Sequence, residues 1–221
     1  MKLFALIVAA GKGVRMGTGD IPKQFLLLKN KPVLMHTIEK FHSFNPKINI
    51  ILVLTTSYIS FWENLCRKYN FDVPHTIVEG GAERFFSVKN GLNKVPDNAI
   101  VAIHDGVRPL VSFDTLQRCF SIAEKYGNAV PAIKCNDSVR EILEEDNKIF
   151  DRNKIRLVQT PQTFDSELVK AAYSQPFSET FTDDASVLEA YGKKIVLVEG
   201  NSENIKITTK ADLKMAEAII L

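Results

Sequence analysis

Short aliphatic blocks separated by amphipathic stretches set the first reading of this chain. Residues 3–10, 49–55, 99–103 and 129–133 are nearly continuous apolar runs, the pattern of strands buried on both faces. Residues 75–79 and 194–198 read as further strands, and 204–208 as a short one with Lys206 and Thr208 on one face. Between them, apolar positions recur at helical spacing. Leu34, Ile38 and Phe41 follow Pro32; Ile59, Trp62, Cys66 and Tyr69 follow Ser57, which is placed to cap them; Val88, Leu92 and Val95 form a third set. Leu116, Phe120 and Ala123 lie between a cap at Ser112 or Asp114 and a stop at Gly127. Asp165 opens a helix to Tyr173, the 182–186 segment opens one that Gly192 ends, and residues 210–220 form the last, burying Leu213, Ala216 and Ile220. Strands alternating with helices predict an α/β fold: a three-layer, mostly parallel twisted sheet with helices on both faces.

Residues 134–160 break this rhythm. Segments 138–143 and 148–150 flank an acidic Glu144-Glu145-Asp146-Asn147 tip and read as a hairpin, with 155–159 as a third strand. The excursion is too small for a domain, and a hairpin alone is marginal in water. The expectation is one domain over 1–221 with a projecting β-arm at 134–160 that packs on a second subunit.

Polar residues gather where the apolar strands end. The first strand runs into Gly11-Lys12-Gly13-Val14-Arg15-Met16-Gly17, followed by Pro22-Lys23-Gln24. Glycines let backbone N–H groups approach phosphate oxygens, and Arg15 and Lys23 add cationic donors. The P-loop pattern fails because Val14-Arg15 follows Gly13, and the dinucleotide fingerprint fails because Met16 replaces its third glycine. Gly80-Gly81 and His104-Asp105 close two other strands. In a parallel sheet the loops leaving the carboxyl ends of strands build the ligand crevice, so these three segments are expected to converge. Asp105 suits Mg²⁺, a hard cation that takes carboxylate, water and phosphate oxygens; the plainer alternative is a turn aspartate. Arg15, Lys23 and Lys206 are placed to surround a triphosphate, and no Ser-His-Asp or Cys-His arrangement competes with attack by a substrate phosphate.

Composition narrows the partners. At 221 residues and a formal charge of +2, with no basic run, the chain offers no general field for nucleic acid. Its 45% apolar content is that of an ordinary globular protein. Cys66, Cys119 and Cys135 are odd in number and far apart, against a disulfide framework or a zinc site, and the four histidines lack ligand spacing. The apolar start is too abruptly ended for a signal peptide and no run spans a membrane, so a cytoplasmic protein is expected.

A resemblance then becomes specific. Ala9-Ala10-Gly11-Lys12-Gly13-Val14-Arg15-Met16, Pro22-Lys23-Gln24, Glu79-Gly80-Gly81-Ala82-Glu83-Arg84, His104-Asp105-Gly106-Val107-Arg108-Pro109, Gln159-Thr160-Pro161-Gln162, Thr182-Asp183-Asp184-Ala185-Ser186 and Asn204-Ile205-Lys206-Ile207-Thr208 follow one another in order. In this the chain resembles the 2-C-methyl-D-erythritol 4-phosphate cytidylyltransferases of the non-mevalonate isoprenoid pathway. The resemblance implies a Rossmann-like nucleotidyltransferase that joins CTP to a sugar-alcohol phosphate with release of pyrophosphate. It implies that Ala9, Ala10, Gly11 and Gly13 line the nucleotide, that Gly81 and Ser87 contact the cytidine, and that Asp105 binds Mg²⁺. Arg15, Lys23 and Lys206 would stabilise the phosphates, with Arg108, Arg152 and Thr182 on the second substrate, Arg152 coming from the partner's arm in a homodimer. Ala82 departs from the family, where aspartate is common, and Gly106-Val107 replaces Ala-Ala or Ala-Val. Two alternatives stand beside this reading. One is a ribitol 5-phosphate cytidylyltransferase, disfavoured by Ala9-Ala10-Gly11, by the 182–186 segment and by Asp151-Arg152. The other is a non-catalytic nucleotide-binding subunit, disfavoured because Arg15, Lys23 and Lys206 are all present.

Overall fold

The computed structural model describes residues 1–11 and 21–220. In chain order its elements are β1 (Lys2–Val8), β2 (Leu27–Leu28), β3 (Lys31–Pro32), α1 (Val33–Phe44), β4 (Asn49–Leu54), α2 (Ile59–Tyr69), β5 (Thr76–Glu79), α3 (Arg84–Leu92) and β6 (Ala99–Asp105). They continue with α4 (Phe113–Tyr126), β7 (Asn128–Lys134), β8 (Val139–Ile142), β9 (Asn147–Phe150), β10 (Arg156–Val158), β11 (Gln162–Asp165), α5 (Ser166–Ala172), α6 (Asp184–Ala190), β12 (Leu197–Glu199) and α7 (Lys210–Ile219). The main sheet runs β10-β7-β11-β6-β1-β4-β5, with β12 on β7. Its β6-β1-β4-β5 half is parallel throughout.

Period-two alternation assigns each strand's side chains to two cores. Ala5 and Ile7 of β1, Leu52 and Leu54 of β4, and Ile100 and Ala102 of β6 meet α1, α2 and α4 through Phe41, Trp62 and Phe120. Phe4 and Leu6, Ile51 and Val53, and Val101 and Ile103 meet α3, α5 and α6 through Val88, Val169 and Leu188. This is the expected three-layer arrangement. A smaller cluster of Leu28, Val107, Ile207 and Ala216 seats α7 beside the end of β6.

Several local expectations need correction. Ser57 does not cap α2; it lies in a 3-10 turn, Thr56–Tyr58, and Tyr58 stands at the cap position. Residues 204–208 form no strand: Ile207 N–H donates to the Val107 carbonyl at 3.0 Å, and the segment is otherwise irregular. The strand near residue 194 begins later, at Leu197. Strand β10 leaves the arm and pairs antiparallel with β7 in the main sheet, so the hairpin itself is only β8 and β9. Strand β11, unforeseen, inserts antiparallel between β6 and β7. The caps at Ser112, Asp165 and Asp183 are as the residue types suggest, each accepting a bond from a backbone N–H in the first turn of its helix.

Candidate active site

The carboxyl ends of β1, β4, β5 and β6 open onto one cleft of about 790 Å³. Backbone bonds carry the sheet beyond its strands here. Ala9 N–H bonds Val53 O, Gly80 N–H bonds Leu54 O and Gly106 N–H bonds Val8 O, at 2.9, 2.7 and 2.9 Å. The loops therefore leave the sheet from fixed points. Of the residues predicted from sequence, Ala9, Ala10, Gly11, Lys23, Gly81, Ser87, Asp105 and Lys206 all line this cleft. Gly13 and Arg15 lie outside the described residues.

Two glycines permit close packing here, Gly80 against the first loop and Gly81 against the start of α3. A methyl group on Gly80 would lie 2.5 Å from the Ala10 Cβ, and one on Gly81 2.3 Å from the Phe86 Cβ. The buried Ser87 hydroxyl ties the turn to α3, accepting from Gly81 N–H at 3.1 Å and donating to the Glu83 carbonyl at 3.1 Å. Thr55 hydroxyl donates to the Ala10 carbonyl at 2.8 Å. The cleft wall on the first loop is thus fixed from the neighbouring strand.

Asp105, at the last position of β6, is the electrostatic centre. Its Oδ2 meets Lys206 Nζ at 3.0 Å and Arg108 Nε at 3.1 Å. Burial alone would push its carboxyl up, but Lys206, Arg84 and Arg108 outweigh burial and hold it below the usual carboxylate range. Asp105 is held through its main chain as well. Its backbone N–H donates to Thr160 Oγ at 3.1 Å, and the same hydroxyl meets His104 Nδ1 at 3.1 Å. His104 Nε2 faces the Arg108 carbonyl at 3.0 Å, so this nitrogen carries the proton and Nδ1 accepts from Thr160. Burial pushes the imidazole down to about 4, and it stands neutral as a spacer behind Asp105.

Arg84 and Asp184 form a second polar unit at the cleft's rim. Two parallel bonds of 2.7 and 2.6 Å join guanidinium and carboxylate, and Tyr173 hydroxyl adds a third to Asp184 at 2.6 Å. Burial disfavours the Arg84 cation, but the adjacent Asp184 carboxylate more than compensates and raises its affinity for the proton. Gln162 then joins β11 to the start of α6, donating to Asp183 at 2.7 Å and accepting from Ala185 N–H at 2.7 Å.

Three predicted residues stand elsewhere. Arg108 faces inward on Asp105 and donates to the Asn204 carbonyl at 2.7 Å. Thr182 is exposed just before the Asp183 cap of α6. Arg152 is exposed on the arm, donating to the Asn136 carbonyl at 2.5 Å. Neither Thr182 nor Arg152 lines this cleft. Conversely Gln24, Thr55, Glu83 and Arg84 line it and were not singled out as site residues. Gln24, Glu83 and Arg84 lay inside motifs already recognised, whereas Thr55 carried no signal beyond ending an apolar run.

Known proteins place this cleft in context. A family model described as 2-C-methyl-D-erythritol 4-phosphate cytidylyltransferase matches residues 3–221. The protein of that name from Bacteroides fragilis is 52% identical over 216 residues, covering 98% of each chain. That from Phocaeicola vulgatus is 49% identical over 220 residues and covers both chains fully, at 100%. Among solved structures, the Francisella tularensis 2-C-methyl-D-erythritol 4-phosphate cytidylyltransferase superposes with a TM-score of 0.82 at 31% identity, covering 100% of both chains. The structure of the Thermus thermophilus protein gives 0.80 at 29% identity, over 99% of this chain and 98% of that one. With the polar loops of a nucleotidyltransferase gathered at the sheet's carboxyl edge, this chain belongs to the 2-C-methyl-D-erythritol 4-phosphate cytidylyltransferase family.

Proposed function

We propose that this chain transfers CMP from CTP to 2-C-methyl-D-erythritol 4-phosphate, giving 4-diphosphocytidyl-2-C-methyl-D-erythritol and pyrophosphate. The observation that carries the reading is the meeting of Lys23, Lys206 and Asp105 in a cleft walled by Ala9, Ala10, Gly11, Gly81 and Ser87. The substrate phosphate attacks the α-phosphorus of CTP in line. Lys23 and Arg15 stabilise the charge gathering on the five-coordinate phosphorus, and Lys206, held beside Asp105, binds the α-phosphate. Gly81, through backbone groups, and Ser87 contact the cytidine. The names of the relatives favour this acceptor over ribitol 5-phosphate, and the retained lysines disfavour a non-catalytic subunit.

The residues present fit a Mg²⁺ ion bound together with the nucleotide. Asp105 Oδ2 is engaged by two cations while Oδ1 carries no hydrogen bond among the described residues, and no cluster of three or more protein ligands is found among them. Asp105 would hold the ion with water and phosphate oxygens completing its shell, and the bound ion would supply positive charge against the triphosphate.

The second substrate is gripped by Arg108 and Thr182, and by Arg152 from the arm of a second copy. The arm's surface supports that assembly. Ile142 and Ile149, on one face of the hairpin, are 79% and 77% exposed, and Phe150, Leu157 and Val158 elsewhere in the 134–160 segment are exposed too, apolar side chains suited to burial in a homodimer. This gives the 134–160 segment its role within a single nucleotidyltransferase domain. No helix among the described residues is long and apolar enough to cross a membrane.

Pyrophosphate release from CTP with each alcohol phosphate tests the reading. Turnover with methylerythritol phosphate well above that with ribitol 5-phosphate is expected, and the reverse order would overturn it. For the arm, two inactive variants, Arg152→Ala and Lys23→Ala, should regain partial activity when mixed, because one hybrid site then has both groups. A monomer by sedimentation with full activity would reject the shared site.

A further inference from the structure

Gln24 is a polar side chain that the reaction as described does not use. It is only 2% exposed although it follows Lys23 in a three-residue 3-10 turn, Lys23–Phe25, at the cleft. A buried amide is unfavourable unless it is hydrogen-bonded, and here Nε2 donates to the Ala9 carbonyl at 2.9 Å. Ala9 is itself fixed to β4 through Val53. One side-chain bond therefore joins the end of β1 to the turn that carries Lys23.

The turn is also held through the next residue. Phe25 is buried, with its ring centroid 5.8, 5.1 and 6.3 Å from those of Tyr58, Phe61 and Trp62. Trp62 is anchored in turn, its Nε1 donating to His75 Nε2 at 3.0 Å while His75 Nδ1 bonds the Val73 carbonyl at 2.7 Å. The aromatic cluster fixes the turn against α2, and Gln24 fixes it against the nucleotide wall. A leucine or methionine at 24 would fill the same space without a polar group to desolvate, so the amide's distinct contribution is the bond to Ala9. Lysine has a flexible four-carbon stem, and a charge that must meet a transition state depends on where its backbone is held. A displacement of about 1 Å can cost on the order of 10²-fold in rate.

We propose that Gln24 is a positioning residue for Lys23, clamping the lysine-bearing turn to Ala9 so that the ammonium is aimed at the reacting phosphate. The proposal rests on the reading of Lys23 as a transition-state cation given above.

A double-mutant cycle tests it. Gln24→Met keeps the volume and removes the donor. Its kcat is expected to fall about tenfold with the KM for CTP changing by less than about threefold, as for a loss felt mainly in the transition state. In a Lys23→Ala background the same substitution should change kcat by less than about twofold, since a clamp has no effect once the group it aims is gone. Trp62 is the sole tryptophan, so an unchanged emission spectrum in Gln24→Met shows that the aromatic side of the turn is intact. An equal tenfold loss in both backgrounds would overturn the proposal, as would unchanged kinetics or a rise in KM alone. Should Gln24→Met not fold, Gln24→Asn serves the same cycle, keeping the amide but withdrawing it by one methylene. If Lys23→Ala by itself leaves kcat within a few-fold, the reading of Lys23 fails and the clamp with it. A large loss from Lys23→Ala with additive effects of Gln24→Met rejects the clamp alone.

Discussion

Replacing Arg84 by methionine should destabilise the protein far more than a rim position ordinarily allows. The Asp184 side chain is 0% exposed, and its two oxygens are satisfied mainly by the Arg84 fork at 2.7 and 2.6 Å, with Tyr173 as the third donor. Arg84→Met leaves that carboxylate buried beside one hydroxyl. Breaking a buried ion pair from one side costs about 3–5 kcal/mol. The position of Asp184 in the first turn of α6, where helix N–H groups favour an anion, argues for the lower end. In a chain of this size each kcal/mol moves Tm by about 2–4 °C, so a fall of roughly 10 °C is expected by scanning calorimetry. Arg84→Lys keeps the charge but not the planar fork and should fall between. The triple change Arg84→Met, Asp184→Leu, Tyr173→Phe removes every polar member and should recover much of the loss, because apolar replacement of a buried pair is often neutral or better. An Arg84→Met protein melting within about 2 °C of the parent would refute the reasoning, since the pair would then contribute no more than a surface one.

Other outcomes follow from neighbouring contacts. Gly80→Ala places a methyl 2.5 Å from the Ala10 Cβ, so the first loop must shift; the KM for CTP should rise about tenfold, with a stability loss of about 1–3 kcal/mol. Stability should fall as pH drops from 6.5 towards 4. Burial lowers His104 to about 4, the unfolded chain therefore binds the proton more readily, and the stability present above pH 6.5 is lost, by up to about 3 kcal/mol. His36 and His75, lowered for the same reason, act in the same direction; a urea midpoint higher at pH 5 than at pH 7.5 would contradict this. Burial pushes the Cys119 thiol up to about 12 and Cys66 to about 11, so a disulfide reagent at pH 8 should modify one thiol quickly in the folded protein, Cys135, and all three in urea.

How far the sequence revealed the molecule depended on the range of the interaction involved. Strands β1, β4 and β6 were legible because burial on both faces leaves an unbroken apolar run, and α4 because Ser112, the 3.6-residue spacing and Gly127 agree. Strand β11 was not, since Gln162 and Thr163 are polar yet buried, bonded to partners that no local pattern announces. The 204–208 segment alternates like a strand but is held by Asn204 on Thr160 O and Ile207 on Val107 rather than by a ladder. At the site, loop convergence followed from the parallel topology, and Asp105 from its place at a strand's end. The Arg84–Asp184 pair joins residues 100 positions apart, a contact that a single sequence does not encode in any spacing.

The course of the chain out of the arm also decides where this protein can change its length. Residues 143–146 at the hairpin tip are exposed and bond within their own turn, Leu143 N–H to Asp146 O and Asn147 N–H to Asp146 Oδ1, so additions or deletions there leave the stem pairing of β8 and β9 in place. Between Arg156 and Thr160 the opposite holds. Strand β10 is paired with β7 through Val158, and Gln159 N–H still bonds Pro131 O; two positions after Val158, Thr160 supports both His104 and the backbone of Asp105. A one-residue deletion in that stretch would turn every following side chain to the opposite face and take Thr160 away from Asp105. Lineages of this protein can therefore vary the tip freely, while the five residues that lead back into the sheet admit substitution but not a change in number.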